Sequence, residues 1–367
     1  MTAGLASIAI VNPYKRRAAT TIDARIYEST LKKIGYSTRW YQCVDNGRES
    51  DYFVGDVSVP GLNTPFEKVN LAANLMFIWP RKLRNLQEDL ILVTDQVLTR
   101  LVDYTDNCVI VVHDLRELAG ARTHVYGMFL FRMLIRKLPK AKAIIAVSEN
   151  TKKSIEFLVD RPPPIFVLHH TTDLEANASL HVENSIRRIE NERILRAIYP
   201  VVDRPYKNIG FLISLARELE RPRDGFGFKF LLRAPLRQVT QLSIERTGVR
   251  FMNTYVETED PAKLYNNADI LVFPSMHEGF GKPLIEAMRF GMPIVANNLE
   301  PIREVVGDGG ILLPPNDTQA WCKALRELSQ PENYRVWAAR ASSRFRAFSA
   351  EVFERNISSV MDRLTRN

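Results

Sequence analysis

The segment Pro274–Asn298, "PSMHEGFGKPLIEAMRFGMPIVANN", decides the fold class of this chain. It follows the apolar run "DILVF", which is typical of a buried strand, and it has glycines on both sides of Phe280. Pro283 stands where a helix begins, and Gly291 stands where one ends. The segment therefore predicts a strand, a tight turn and a helix whose positive end can bind phosphate.

Two glutamates flank this turn, Glu278 before it and Glu286 inside the helix, and Lys282 adds a cation at the helix start. A carboxylate accepts hydrogen bonds from pairs of sugar or ribose hydroxyls. Two carboxylates around a phosphate-binding helix end can therefore hold the two polyol parts of a sugar nucleotide. The alternative is that each glutamate only favours the helix dipole, which contributes about 0.3–1 kcal/mol.

Strand-like and helix-like segments alternate along most of the chain. Examples are "SIAIVNP" followed by "TTIDARIYESTLKKIG", and "AKAIIA" followed by "SENTKKSIEFLV". This alternation predicts a doubly wound α/β fold, and it restarts after the charged stretch Leu180–Glu192. We expect a first domain over residues 1–182, a second over residues 183–345 and a final helix over residues 346–367.

The stretch His277–Asp317, "HEGFGKPLIEAMRFGMPIVANNLEPIREVVGDGGILLPPND", resembles the retaining glycosyltransferases of family 4. Their signature is two glutamates separated by seven residues, which Glu278 and Glu286 match. The resemblance is strong over residues 271–317 and weaker towards the start of the chain. It implies the GT-B fold, in which two Rossmann-like domains face a central cleft and the last helix returns to the first domain.

The resemblance implies a role for each residue of the turn. Glu286 would accept hydrogen bonds from the nucleotide ribose, and Glu278 would contact hydroxyls of the transferred sugar. The backbone amides of Gly279, Phe280 and Gly281 would line the diphosphate beside Lys282.

A basic pair in the family neutralises the diphosphate, and "YPVVDRPYKN" (Tyr199–Asn208) is the matching stretch here. Arg204 and Lys207 are the candidates, because fixed cations stabilise the negative charge that develops on a departing phosphate. The family's usual glycine is replaced by Pro200, and the spacing of the pair also differs from the commonest version. A solvated loop arginine is the alternative for Arg204.

In the first domain, "VVHDL" places His113 at the end of a strand. The resemblance implies a histidine here that faces the donor sugar, and a structural histidine is the alternative. The adjacent His169 and His170 do not predict a metal site, because no third ligand has compatible spacing. The family's glycine-rich loop is absent from "NPYKRRAATTID" (Asn12–Asp23), where a basic run at residues 15–17 is the hypothetical substitute.

The composition fits a two-domain globular protein, with 367 residues, of which 46% are hydrophobic, and a net charge of +8. The three cysteines are isolated, which argues against a disulfide framework. The positive charge suits an anionic partner, but no aromatic-basic module indicates nucleic-acid binding.

No apolar run is as long as the segment of about 20 residues that spans a bilayer. The first residues predict a strand and not a signal peptide. We therefore expect a cytoplasmic protein.

The densest basic cluster is "FRMLIRKLPKAK" (Phe131–Lys142). One interpretation is a core helix with a solvated basic face. The other is a patch that touches anionic lipid headgroups, as in a peripheral protein on the cytosolic face of a membrane.

The sequence thus predicts a retaining hexosyltransferase with a nucleotide diphosphate sugar as donor and a glycan or lipid-linked acceptor. We expect no metal and no cofactor. Two alternatives stay open, a sugar-nucleotide epimerase or hydrolase on the same fold, and a non-catalytic sugar-nucleotide-binding protein. The sequence assigns neither the sugar, the base nor the oligomeric state.

Overall fold

The computed structural model describes residues 6–13, 19–44, 55–62, 66–115, 131–200, 204–219, 226–232, 240 and 260–365. By its internal contacts the chain divides into two units. The first consists of Met1–His170 and Ala350–Asn367, and the second of Thr171–Ser349. The expected connection over residues 180–192 lies inside a helix of the second unit, so this division falls before the expected boundary at 182/183.

The first unit contains a parallel sheet of seven described strands in the order β3-β2-β1-β4-β5-β6-β7. Its inner strands are continuous apolar runs, because both faces of a parallel sheet are covered by other elements. β5, for example, is buried along its whole length. The strands are β1 Ser7–Asn12, β2 Ser37–Val44, β3 Val57–Pro60, β4 Leu90–Val93, β5 Cys108–Val112, β6 Ala143–Ala146 and β7 Ile165–Val167.

The second unit contains a parallel sheet whose described strands have the order β12-β11-β10-β8-β9. β10, with the sequence "ILVF", is fully buried and pairs with β8 and β11. The loops after these strands leave from one carboxyl edge of the sheet. The strands are β8 Ile194–Tyr199, β9 Gly227–Leu232, β10 Ile270–Phe273, β11 Ile294–Asn297 and β12 Ile311–Leu313.

Helices accompany both sheets, as the alternating pattern predicts. In the first unit they are α1 Ala19–Lys33, α2 Glu67–Ala73, α3 Trp79–Lys82, α4 Glu149–Leu158 and the final α12 Ala350–Thr365. A π-helical turn, Asn74–Ile78, joins α2 to α3. In the second unit they are α5 Ala178–Glu192, α6 Ile209–Leu219, α7 Ala262–Asn266, α8 Lys282–Arg289, α9 Ile302–Val306, α10 Thr318–Leu328 and α11 Pro331–Phe345.

The final helix packs in the first unit, as expected for the last helix of the chain. The ring of Phe353 meets Tyr27 of α1 edge-on at 5.5 Å, and Glu354 accepts a hydrogen bond of 2.5 Å from Lys33. The hydroxyl of Ser148 caps α4 by accepting from the amide of Thr151.

The helix and the strand that the sequence pattern predicts over residues 236–254 lie outside the described residues except at residue 240, and the basic run at residues 15–17 lies outside them entirely. In the stretch Phe131–Lys142, most of the large apolar residues are buried and Arg132 and Arg136 are exposed, as an apolar face in the core beside a solvated basic face requires. No helix in the described part of the chain combines the length and the apolar character needed to cross a bilayer.

Candidate functional site

The turn between β10 and α8 depends on a glycine. Gly281 adopts a left-handed conformation with φ 93° and is the N-cap residue of α8. A Cβ at this position would lie 2.7 Å from Cδ1 of Leu284, so other residues would strain both the backbone and the packing. Pro283 lies in the first helical turn, and Gly291 ends the helix with φ 64°, as the sequence predicts.

The loop that carries Glu278 is held in place by the buried side-chain amide of Asn297. Nδ2 of Asn297, at the end of β11, donates to the carbonyls of Pro274 at 2.8 Å and Ser275 at 3.0 Å. The amide of Met276 donates to the carbonyl of Tyr206 at 2.8 Å. These bonds hold the loop after β10 against the loop after β8.

Lys207 and Glu278 form the central ion pair of this edge, with Nζ 2.5 Å from Oε1. Their side chains are only 15% and 12% exposed. Tyr199, at the end of β8, donates its hydroxyl to the carbonyl of Lys207. Burial, together with the negative charge of Glu278, raises the pKa of Tyr199 well above its ordinary value, so the phenol keeps its proton and holds the lysine in place.

Glu286 lies on α8 away from the buried residues of that helix, and it is half-buried. Its Oε2 accepts a hydrogen bond from the hydroxyl of Tyr265 on α7. The ring of Tyr265 stacks on Phe290 with centroids 5.3 Å apart, which orients the phenol. No described residue donates to Oε1 of Glu286, so this oxygen can accept a ligand hydroxyl.

Arg204 and Lys207 have different environments, although both come from the predicted basic stretch. The side chain of Arg204 is exposed and forms no ion pair with any residue that the structure describes. Asn208, with φ 57°, donates to Asn316 at 3.0 Å and thereby ties the loop after β8 to the loop after β12. The structure thus brings Lys207, but not Arg204, into contact with Glu278.

The other predicted residues lie at the start of α8. Lys282 is its first residue, and Gly279 is half-buried in the loop before it. Phe280 is buried, and its ring meets Phe348 edge-on at 5.8 Å. The backbone of this turn is therefore fixed by packing, whereas its contacts with a diphosphate stay a prediction.

In the first unit, His113 follows β5 at the carboxyl edge of the sheet. Its Nε2 lies 2.8 Å from the carbonyl of Thr94, and its amide donates to Gln96 at 3.0 Å. The ring stacks on that of His170 with centroids 5.4 Å apart, and Nδ1 of His170 lies 3.6 Å from Oδ1 of Asp23. Asp23 and His170 are buried.

Asp23, His113 and His170 each offer one ligand atom within 4.8 Å of the others, which is the composition of a metal site. The two imidazole rings, however, are stacked with only 12° between their planes. Since a histidine binds a metal in the plane of its ring, one ring must rotate before both can share an ion. The spacing of His169 and His170 in the sequence gives no sign of Asp23 and His113 beside them, because those residues come from distant parts of the chain.

Residues 199–330 match the model of a known family, the glycosyl transferases group 1. The match contains Lys207, Tyr265, Glu278 and Glu286, and therefore every residue of the two contacts that flank the turn.

Two curated relatives cover a larger part of the chain. It is 29% identical over 237 residues to the O-antigen chain mannosyltransferase B of Escherichia coli. It is 25% identical over 231 residues to the O-antigen chain mannosyltransferase RfbU of Salmonella typhimurium. Each alignment covers 61% of this chain and 61% of the relative, so the chain spans less than two thirds of their length.

Solved structures match nearly the whole chain. The sucrose-phosphate synthase of Thermosynechococcus elongatus has a TM-score of 0.78 at 16% identity, covering 98% of this chain and 99% of that one. WaaG, a glycosyltransferase involved in lipopolysaccharide biosynthesis, has a TM-score of 0.72 at 15% identity, covering 96% and 99%. These matches confirm the predicted GT-B fold.

Sequence reasoning missed Tyr265, Tyr199 and Asn297. Each contacts a predicted residue or its loop through side-chain hydrogen bonds. Tyr265 stands in "PAKLYNNA", where the sequence predicts a short helix but gives no sign of its partner. Of the three, only Asn297 could have been recognised from the sequence, because a polar residue at the end of an apolar strand needs a hydrogen-bond partner.

Proposed function

We propose that this protein transfers a hexose from a nucleotide diphosphate sugar to a hydroxyl group, with retention of the anomeric configuration. One observation carries the proposal. The Lys207–Glu278 ion pair and the Tyr265–Glu286 hydrogen bond flank a left-handed turn at the N-terminus of α8. Acceptors for two polyols therefore lie on either side of a turn that offers amides and a helix end to a diphosphate.

In this proposal, Oε1 of Glu286 accepts from a ribose hydroxyl while Tyr265 holds the other oxygen. Glu278 accepts from a hydroxyl of the sugar. The ammonium group of Lys207 then exchanges part of its contact with Glu278 for a diphosphate oxygen. The backbone of Gly279–Gly281, with Lys282 beside it, faces the remaining oxygens.

The proposed reaction occurs on one face of the sugar. The bond between the anomeric carbon and the diphosphate oxygen breaks, and the acceptor hydroxyl forms its bond to that carbon from the same side. The hydroxyl proton passes to the departing phosphate oxygen, which makes a separate general base unnecessary. Lys207 stabilises the negative charge on the leaving group, in the role that a divalent cation has in other transferases, so we propose that no metal is needed.

Mannose is the first donor sugar to test, because the names of both curated relatives are those of mannosyltransferases. The same names concern O-antigen chains, which favours a glycan or lipid-linked acceptor for this protein as well. Glucose and galactose donors are the comparison.

The test is incubation of the purified chain with GDP-mannose, UDP-glucose or UDP-galactose, with lipid-linked oligosaccharides as acceptors. We expect a glycoside with the donor's anomeric configuration by NMR, at the same rate with and without EDTA. Free sugar or an epimer without acceptor would favour a hydrolase or an epimerase. Donor binding without any turnover would favour a non-catalytic binding protein.

A further inference from the structure

An apolar stripe runs along the outer face of the segment from α2 through the π-helical turn to α3. Phe66, Val69, Ala73 and Phe77 recur every three or four residues, the spacing that keeps side chains on one helical face. Phe66 is 70% exposed, Val69 61% and Phe77 43%. A helical face that points to water is normally polar, so this stripe indicates a surface that is covered in use.

The segment is fixed in place by its opposite face. Leu75, Met76, Trp79 and Leu83 are buried in the first unit. The side chain of Asn74 accepts from the amide of Leu62 at 2.5 Å and donates to its carbonyl at 3.3 Å. The exposure of the stripe is therefore a feature of a packed helical segment and not of a fraying end.

Cations border the stripe. Arg81 lies four residues beyond Phe77 on the same face, and Arg84 follows it. Both are exposed, and neither forms an ion pair with a described residue. The guanidinium of Arg100 lies over the ring of Phe77, 4.9 Å from its centroid.

The cationic border continues into the basic cluster of residues 131–142. Arg100 lies 3.8 Å from Asp103, which also pairs with Lys137 at 3.0 Å and with Lys140 at 2.9 Å. One carboxylate thus pairs with three cations, so these four side chains together keep a net positive charge.

We propose that this stripe docks on an anionic lipid bilayer, with the side chains of Phe66 and Phe77 at the boundary between headgroups and acyl chains. Charge complementarity favours this partner, because Arg81, Arg84 and the lysines lie at the margin of the apolar stripe, where anionic headgroups would meet them. A second copy of the chain fits less well, since a two-fold interface would bring like-charged margins together. The proposal does not depend on the proposed function.

The test is flotation of the full chain with vesicles. One set contains equal parts of phosphatidylcholine and phosphatidylglycerol, and the other contains phosphatidylcholine alone. We expect binding to the first set that weakens as salt rises, and at least tenfold weaker binding of a double variant, Phe66→Ser with Phe77→Ser.

Phe157→Ser is the matched control. Phe157 is 88% exposed on α4, which contacts β6 and β7, whereas α3 contacts β3 at the opposite edge of the sheet. This variant should float like the unaltered chain. A second double variant, Arg81→Glu with Arg84→Glu, should lose most of the binding to anionic vesicles.

Three results would overturn the proposal. The first is that the unaltered chain fails to float with anionic vesicles. The second is that the phenylalanine double variant has a native circular dichroism spectrum and floats as well as the unaltered chain. The third is a dimer by light scattering that the double variant dissociates, without vesicle binding, which would make the stripe an interface between two copies.

Discussion

The carboxyl edges of the two sheets carry the candidate residues of this protein in different ways. In the second unit, Glu278, Gly281 and Glu286 come from one continuous stretch of sequence. In the first unit, Asp23, His113 and His170 come from α1, from the end of β5 and from the chain after β7. A continuous motif can be recognised from its spacing, whereas a cluster assembled from distant segments becomes visible only when the chain is folded.

The strongest test of the second edge is Lys207→Ala. We expect kcat to fall by roughly 10²–10³-fold, because a fixed charge that stabilises the leaving group contributes on that order. Steady-state kinetics with saturating donor measures the effect.

Arg204→Ala is the matched control for this variant, since its guanidinium comes from the same loop but is exposed and meets no described carboxylate. We expect less than about a tenfold decrease in kcat, as for other solvated charges. An equal loss in both variants would contradict the distinction that the structure makes between the two cations.

Glu286→Gln tests the ribose end of the site. Since hydrogen bonds to a charged group contribute about 1.5–3 kcal/mol, donor affinity should fall by roughly 10–100-fold. Calorimetric titration with the donor and with the free nucleoside diphosphate should show the same loss, because both contain the ribose.

Tyr265→Phe removes only the hydroxyl that holds Oε2 of Glu286, so its effect should be smaller, about three- to tenfold in donor affinity. Unchanged affinity in both variants, with the fold intact by circular dichroism, would remove Glu286 from the site.

The first edge is expected to respond less than Lys207 and Glu286 of the second edge. We expect His113→Ala to reduce kcat/KM by up to about tenfold, because the resemblance implies that its ring faces the donor sugar and a neutral hydrogen bond contributes on that order. His170→Asn should have a smaller effect, because the buried ring of His170 stacks on His113 and would act by orienting that ring. A larger loss in His170→Asn, or one that added zinc reverses, would indicate a different role for the cluster.

The smallest expected effect concerns the pH dependence of stability in the second unit. Burial lowers the pKa of His181, although its contacts with the carbonyls of Ala268 and Tyr265 partly oppose this. As pH falls through about 6.5, the unfolded chain binds a proton that the folded chain does not. The contribution of His181 to the free energy of unfolding is therefore fully present above that pH. Below it, the free energy of unfolding falls by up to about 1.4 kcal/mol per pH unit, until the lowered pKa is reached.

His181→Gln provides the comparison, because glutamine can still donate a hydrogen bond but does not titrate. Urea unfolding at several pH values measures the free energy of unfolding. Below pH about 6.5, this free energy should depend less steeply on pH in the variant than in the unaltered protein. An equally steep dependence on pH in the two proteins would show that His181 does not set the acid sensitivity of folding stability.

Local patterns in the sequence predicted strands such as β1, β6 and β10 and the helix end at Gly291, because each depends on neighbouring residues. The resemblance to the family assigned Lys207 and Glu278 to one site, but neither it nor the local patterns predicted their ion pair. They gave no sign that Tyr265 donates to Glu286 or that Asp23 meets His170. Such contacts depend on how loops pack against one another, which hydrophobic periodicity does not encode.

The most direct test of the central claim is a crystal structure of the protein with its nucleotide diphosphate sugar. We predict a ribose hydroxyl within hydrogen-bond distance of Oε1 of Glu286, a sugar hydroxyl on Glu278, and a diphosphate oxygen between Lys207 and the amides of Gly279–Gly281. A donor bound elsewhere, with the Lys207–Glu278 pair and Oε1 of Glu286 making no contact with it, would contradict the account.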